Sequence, residues 1–148
     1  MPKSSGQKLK LLYLLEYLRR ETDAEHPAAV GDIISYLDSV GISAERKSIY
    51  DDINRLCEFG YDIERAQDVR AGYYMASGSF EQAELKLLVD AVQSSKFITE
   101  RKSRALIRKL ESLTSRYNAS ALERQVFVMG RNKTENGAVV YSIDALHE

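Results

Sequence analysis

Residues 37–43 read Leu-Asp-Ser-Val-Gly-Ile-Ser, and this interval constrains the fold more than any other stretch of the chain. Before it, Val30, Ile33, Ile34 and Leu37 recur at i, i+3, i+4 and i+7, the apolar stripe of a helix that the spacing predicts over residues 29–39. Gly41 supplies a left-handed stop. After it, Ser43 is placed as an N-cap, and Ile49, Ile53, Leu56 and Cys57 form the stripe of the next helix. Only Gly41 and Ile42 separate stop from cap, so the two helices must cross steeply, as in a helix-turn-helix.

The flanking sequence extends this unit in both directions. Leu11, Leu12, Leu15 and Leu18 predict an amphipathic helix over residues 7–22, followed by a loop containing Pro27. Gly60 closes the third helix. The alternating segments Tyr61 to Arg65 and Gly72 to Ala76 then flank the polar turn Gln67-Asp68-Val69-Arg70-Ala71 and predict a β-hairpin. Three helices and a hairpin make a winged helix-turn-helix, assigned to residues 1–78.

Ser79, with Gln82 three residues on, has capping-box spacing ahead of the stripe Leu85, Leu88, Val89 and Val92. Thr99 caps a further helix with Leu106, Leu110, Leu113 and Tyr117 on one face. Residues 79–118 therefore read as a two-helix linker. It has too few large apolar residues to stand alone, so it packs on the first domain or pairs with a second copy. From Gln125, β-rich runs lie either side of the turn signal Asn136-Gly137. Residues 119–148 are expected to be a β-rich segment opening a C-terminal domain that the chain does not complete. The expected fold class is mainly α with a small β-hairpin.

Charge and composition narrow the function classes. The net charge is −1, with 10 Lys/Arg against 13 Asp/Glu in residues 1–77 and 11 against 9 in residues 78–148. A protein that coats a polyanion without sequence preference is normally basic overall, so contact with nucleic acid must come from a local patch. The single cysteine, Cys57, reads as an apolar filler in the core. His26 and His147 lack metal-ligand spacing, so no metal and no cofactor is expected. There is no phosphate-binding glycine loop, no nucleophile beside a histidine and no carboxylate pair with a pocket, so no catalytic residue is assigned and the chain is not expected to be an enzyme. No apolar run approaches the roughly 20 residues of a membrane span, and the first residues lack a secretion signal's apolar core, so a cytoplasmic location is expected.

On a wheel at about 100° per residue, the side of the third helix opposite its stripe carries Lys47, Ser48, Asp51 and Arg55, flanked by Arg46 and Tyr50. The second helix of a helix-turn-helix enters the major groove of double-stranded DNA and brings its leading residues to base edges. Ser43 and Ser48 can donate to phosphate, and Arg46 and Lys47 can pair with phosphate or guanine. Tyr50 can stack or donate, while Asp51 can accept from a cytosine amino group. Asp52 turns inward toward a cation. Arg65 and Arg70 on the hairpin are candidates for contact with backbone phosphate or the minor groove. The alternative is that these side chains form a solvated helix face, which is how the basic run Lys96, Arg101, Lys102, Arg104, Arg108 and Lys109 is read. The corresponding function would be a protein-interaction module using residues 80–117 on a winged-helix scaffold.

The segment "ISAERKSIYDDINRLCEFGYDIE" resembles the winged helix of bacterial transcriptional regulators that carry a C-terminal WYL domain, and "FVMGRNKTENGAVVYSIDALHE" resembles the stretch leading into that domain. The resemblance implies sequence-specific DNA binding, usually as a homodimer, with a ligand-sensing or regulatory module expected on a C-terminal WYL part that this chain lacks. The sequence departs from the family at Asp51, where many members carry arginine, and in having no tryptophan.

Overall fold

The computed structural model describes residues 6–68, 71–76 and 78–129, the last five of them as backbone only. Its elements are α1 (Gly6–Glu21), α2 (Val30–Ser39), α3 (Arg46–Phe59), β1 (Ile63–Arg65), β2 (Tyr73–Met75), α4 (Gln82–Ser94), α5 (Glu100–Glu111) and α6 (Arg116–Met129). The described part is mainly helical with one small antiparallel hairpin. The chain divides into two compact units, Met1–Ser79 and Phe80–Glu148. None of the described helices is long and apolar enough to cross a membrane.

In the first unit, Leu14 and Leu18 of α1, Ile33 and Leu37 of α2 and Ile49, Ile53 and Leu56 of α3 meet in one buried core closed below by Ile63 and Met75. The inward face of α1 differs from the expected stripe: Lys10, Leu14 and Leu18 are buried, whereas Leu12 is 61% exposed and Leu11 is also exposed. Leucines surround this helix, so periodicity alone does not fix its phase. Cys57, expected in the core, is exposed. It sits about 80° from Ile49 on the wheel, at the margin of the stripe, and its thiol donates to the Ile63 carbonyl at 3.5 Å.

The hairpin pairs Ile63 with Met75, Glu64 with Tyr74 and Arg65 with Tyr73. A third segment joins it, because Ala28 exchanges both backbone hydrogen bonds with Tyr73, at 2.8 and 2.9 Å. Gly72 is required there. Its φ is +92°, and a Cβ would lie 1.8 Å from the Ala28 carbonyl oxygen. The buried Thr22 hydroxyl accepts from Met75 N at 3.0 Å, tying the end of α1 to β2.

In the second unit, Leu85 and Val89 of α4, Ile107 of α5 and Leu122 of α6 form a small core. Thr99 caps α5 by accepting from Lys102 N. Three expectations are corrected. Ser79 does not cap α4; Glu81 does, its backbone N–H donating to Glu84 at 2.8 Å, which starts the helix two residues later. The predicted second linker helix ends at Glu111, leaving Leu113 in a turn and Tyr117 in α6, with Ile107 rather than Leu106 buried. Residues 119–129, expected to be β-rich, are helical. Ser115 starts that helix by accepting from Asn118 N, and the following Ala119, Ala121, Leu122 and Glu123 include strong helix formers that override the local β propensity of Val126 to Val128. The turn expected at Asn136-Gly137 lies outside the described residues.

Candidate functional site

The site begins at the stop between α2 and α3. Gly41, at φ +83°, lets its own N–H reach the Asp38 carbonyl at 3.0 Å and the Ile42 N–H reach the Leu37 carbonyl at 2.8 Å. This is a Schellman ending, completed by burial of Ile42 and Leu37 in the core. Ser43 is exposed, and its carbonyl accepts from Gln7 Nε2 at 3.0 Å. It does not cap α3. Glu45 holds that position, and Ser48 supports it: the Ser48 hydroxyl donates to the Glu45 carbonyl at 2.8 Å and accepts from Glu45 N at 3.3 Å.

Burial of Ile49, Ile53 and Leu56 turns the opposite side of α3 outward, where Arg46, Lys47, Tyr50, Asp51, Asn54 and Arg55 are exposed. Arg55 pairs with Glu58 at 3.2 Å. Among the described residues Arg46, Lys47 and Asp51 form no ion pair. The two cations stand in the first turn of α3, which contains no acid. The helix dipole disfavours cations there by about 0.3–1 kcal/mol each at an exposed site, and the Glu45 carboxylate before them offsets part of that cost. Local stability does not account for their placement.

Asp52 faces inward as expected, and the cation it meets is Lys10 of α1, remote in the sequence. Lys10 Nζ lies 2.7 Å from Asp52 Oδ2, with the two side chains only 9% and 16% exposed, and donates to Ser48 Oγ at 2.9 Å. Asp52 Oδ2 has no aligned hydrogen-bond donor, so the contact is an ion pair between charges. Ser48 is thus engaged on three sides within the chain.

The hairpin lies beside α3. The Tyr50 and Tyr73 rings are 6.2 Å apart and tilted by 58°. Arg65 stands opposite Tyr73 and two residues from the buried Ile63, so strand alternation puts it on the hairpin face turned toward α3. On the other face Tyr74 donates to Glu64 at 2.8 Å, which holds the Tyr74 hydroxyl above its ordinary pKa. Arg70 lies outside the described residues. The arrangement therefore brings Arg46, Lys47, Tyr50 and Asp51 onto the outward side of α3, sets Tyr73 of the hairpin beside Tyr50 with Arg65 exposed opposite Tyr73, and leaves Ser43 before the helix and Ser48 partly buried.

Asn54 was missed by the sequence reading. It stands at i+7 from Lys47, i+4 from Tyr50 and i+3 from Asp51, so the wheel that placed those residues also places it. The basic run of the second unit is exposed throughout, and Arg104 pairs there with Glu100 at 2.7 Å. Among the described residues no group of three metal-ligating side chains converges. No protein-family model, curated protein or solved structure matches the chain.

Proposed function

We propose that this chain is a sequence-specific double-stranded-DNA-binding transcriptional regulator, with α2 and α3 as a helix-turn-helix, α3 in the major groove and the β1–β2 hairpin as a wing on the phosphate backbone. The observation that carries the reading is the pair Arg46 and Lys47, exposed and without an ion-pair partner among the described residues at the helix end where the dipole disfavours them. Phosphate or guanine acceptors supply the missing counter-charge. Arg65 extends the same side toward the backbone. Asp51, repelled by phosphate, serves discrimination by accepting from a cytosine amino group. The resemblance to WYL-domain regulators adds a homodimer, with the α4–α5 segment joining the copies.

Fluorescence anisotropy with duplex DNA from upstream of the protein's own gene tests this. The wild-type chain binds with two chains per duplex, and the Arg46→Ala/Lys47→Ala variant loses affinity by more than tenfold. Its dependence of log affinity on log salt is shallower by about 0.9 for each phosphate contact removed. Unchanged affinity in the variant removes α3 from the contact.

The second reading, a protein-interaction module without DNA binding, is favoured by one observation: Leu87 and Phe97 in the second unit are 69% and 61% exposed. Absence of duplex binding at low salt, together with capture of a defined protein partner, decides for it.

A further inference from the structure

We infer that Asn54 is a base-reading residue that recognises an adenine in the major groove, next to the base pair read by Asp51; the inference rests on the DNA-binding reading above. Lys47, Tyr50, Asp51 and Asn54 occupy i, i+3, i+4 and i+7 of α3, the single stripe that a helix lying along a groove presents to it. Asn54 projects near the middle of that stripe, about 20° from Lys47 on the wheel. Its amide is exposed and makes no hydrogen bond among the described residues, although Asn is a poor helix former in mid-helix. Fold stability therefore gives no reason for the residue.

The chemistry narrows its target. An uncharged amide contributes little to phosphate affinity, but its oxygen and nitrogen form a donor–acceptor pair matching adenine N6 and N7. Asn54 is three residues beyond Asp51, a rise of about 4.5 Å along the helix. That compares with about 3.4 Å per base step. The two side chains therefore address neighbouring base pairs, and the recognised sequence contains a cytosine for Asp51 beside an adenine for Asn54. Beyond Asn54 on the exposed side, Arg55 and Glu58 are paired with each other, which marks the end of the reading stripe.

Selection of bound duplexes from a random pool, by the full chain and by Asn54→Ala, tests the inference. Alanine favours the helix, so the variant folds, and unchanged far-ultraviolet ellipticity checks this. The wild-type motif is expected to hold an adenine that becomes degenerate in Asn54→Ala while the other positions stay. Affinity for the wild-type site falls roughly five- to hundredfold with the salt slope unchanged. Asn54→Gln, whose amide can make the same pair, retains adenine preference. A wild-type motif reproduced unchanged by Asn54→Ala overturns this inference and leaves the DNA-binding reading standing. A loss uniform over sequences with a shallower salt slope also overturns it, by making Asn54 a backbone contact. A wild-type chain that enriches no motif overturns both.

Discussion

Among the described residues, twelve apolar side chains form the buried core of the first unit and four that of the second. The ties between elements differ as well. In the first unit Gln7 holds the turn before α3, Lys10 pairs with Asp52, Thr22 holds β2, and Ala28 completes the ladder on Tyr73. In the second unit Gln82 Nε2 donates to the Asn118 carbonyl at 3.3 Å, a side-chain tie of that reach, and Gln93, Ser103 and Ser115 are buried among its few apolar residues. Among the described residues Ser103 Oγ and Gln82 Oε1 are buried with no hydrogen-bond partner from the protein, whereas the buried Asp52 Oδ2 of the first unit faces Lys10. The contrast teaches where geometry is fixed. Several independent contacts set the position of α3, whereas α4–α6 rest on a few.

The largest test of that contrast is Gly72→Val. Its Cβ collides with the Ala28 backbone at a φ that β-branched residues avoid, so the first unit loses more than about 3 kcal/mol. Hydrogen exchange should show lost protection in α1–α3 and the hairpin. If wild-type α4–α6 amides proved as slow to exchange as those of α1–α3, the contrast itself would fail.

Next in size is Lys10→Ala, which leaves the Asp52 carboxylate buried without its cation and costs about 3 kcal/mol. Denaturant unfolding measures the loss. A double replacement of Lys10 and Asp52 by apolar residues should recover most of it, because the pair is compared with packing instead of with a stranded charge.

The smallest effect belongs to the second unit. Burial, and then the nearby Glu123, raise the Glu111 pKa against the opposing pull of Arg108. A carboxyl whose pKa is higher folded than unfolded binds protons more tightly when folded, so its contribution is full below the ordinary glutamate range and is lost as pH rises through the raised value. Glu111→Gln should therefore raise the stability of the second unit slightly at neutral pH and change nothing in acid. A pH series of thermal unfolding reads this; a gain confined to acid reverses the sign.

Much of the first unit was legible in the sequence. α2 and α3 follow from their apolar stripes, with Cys57 at the margin of the second stripe left exposed, the hairpin follows from alternation, and Gly41 and Gly60 end their helices where expected. The phase of α1 was not legible, because leucines ring that helix and its buried face carries, beside Leu14 and Leu18, a lysine whose partner Asp52 no local pattern shows. Residue type alone predicts Ser43 and Ser79 as caps, because Ser is a good capping residue. In each case a glutamate two residues later takes the position, its own N–H satisfied by the side chain three residues further on. Helix α6 was missed because Val126 to Val128 carry β propensity, while the helix is set by Ser115 and the residues just after it. In the candidate site, the exposure of Arg46, Lys47 and Asp51 follows from the wheel, whereas the engagement of Ser48 is a tertiary event. Asn54 was readable on that same wheel, but polarity alone does not separate a base-reading amide from a solvated one.

The Lys10 ammonium has a geometric consequence beyond stability. It grips α3 at Ser48 and Asp52, two points one helical turn apart on the same flank, and so fixes the azimuth of that helix about its own axis. An apolar stripe tolerates some rolling; a two-point polar clasp tolerates little. Since each residue advances the azimuth by about 100°, a small roll would swing Lys47 and Asn54 out of alignment together. A cation hidden on α1 thus governs the aim of side chains it never touches.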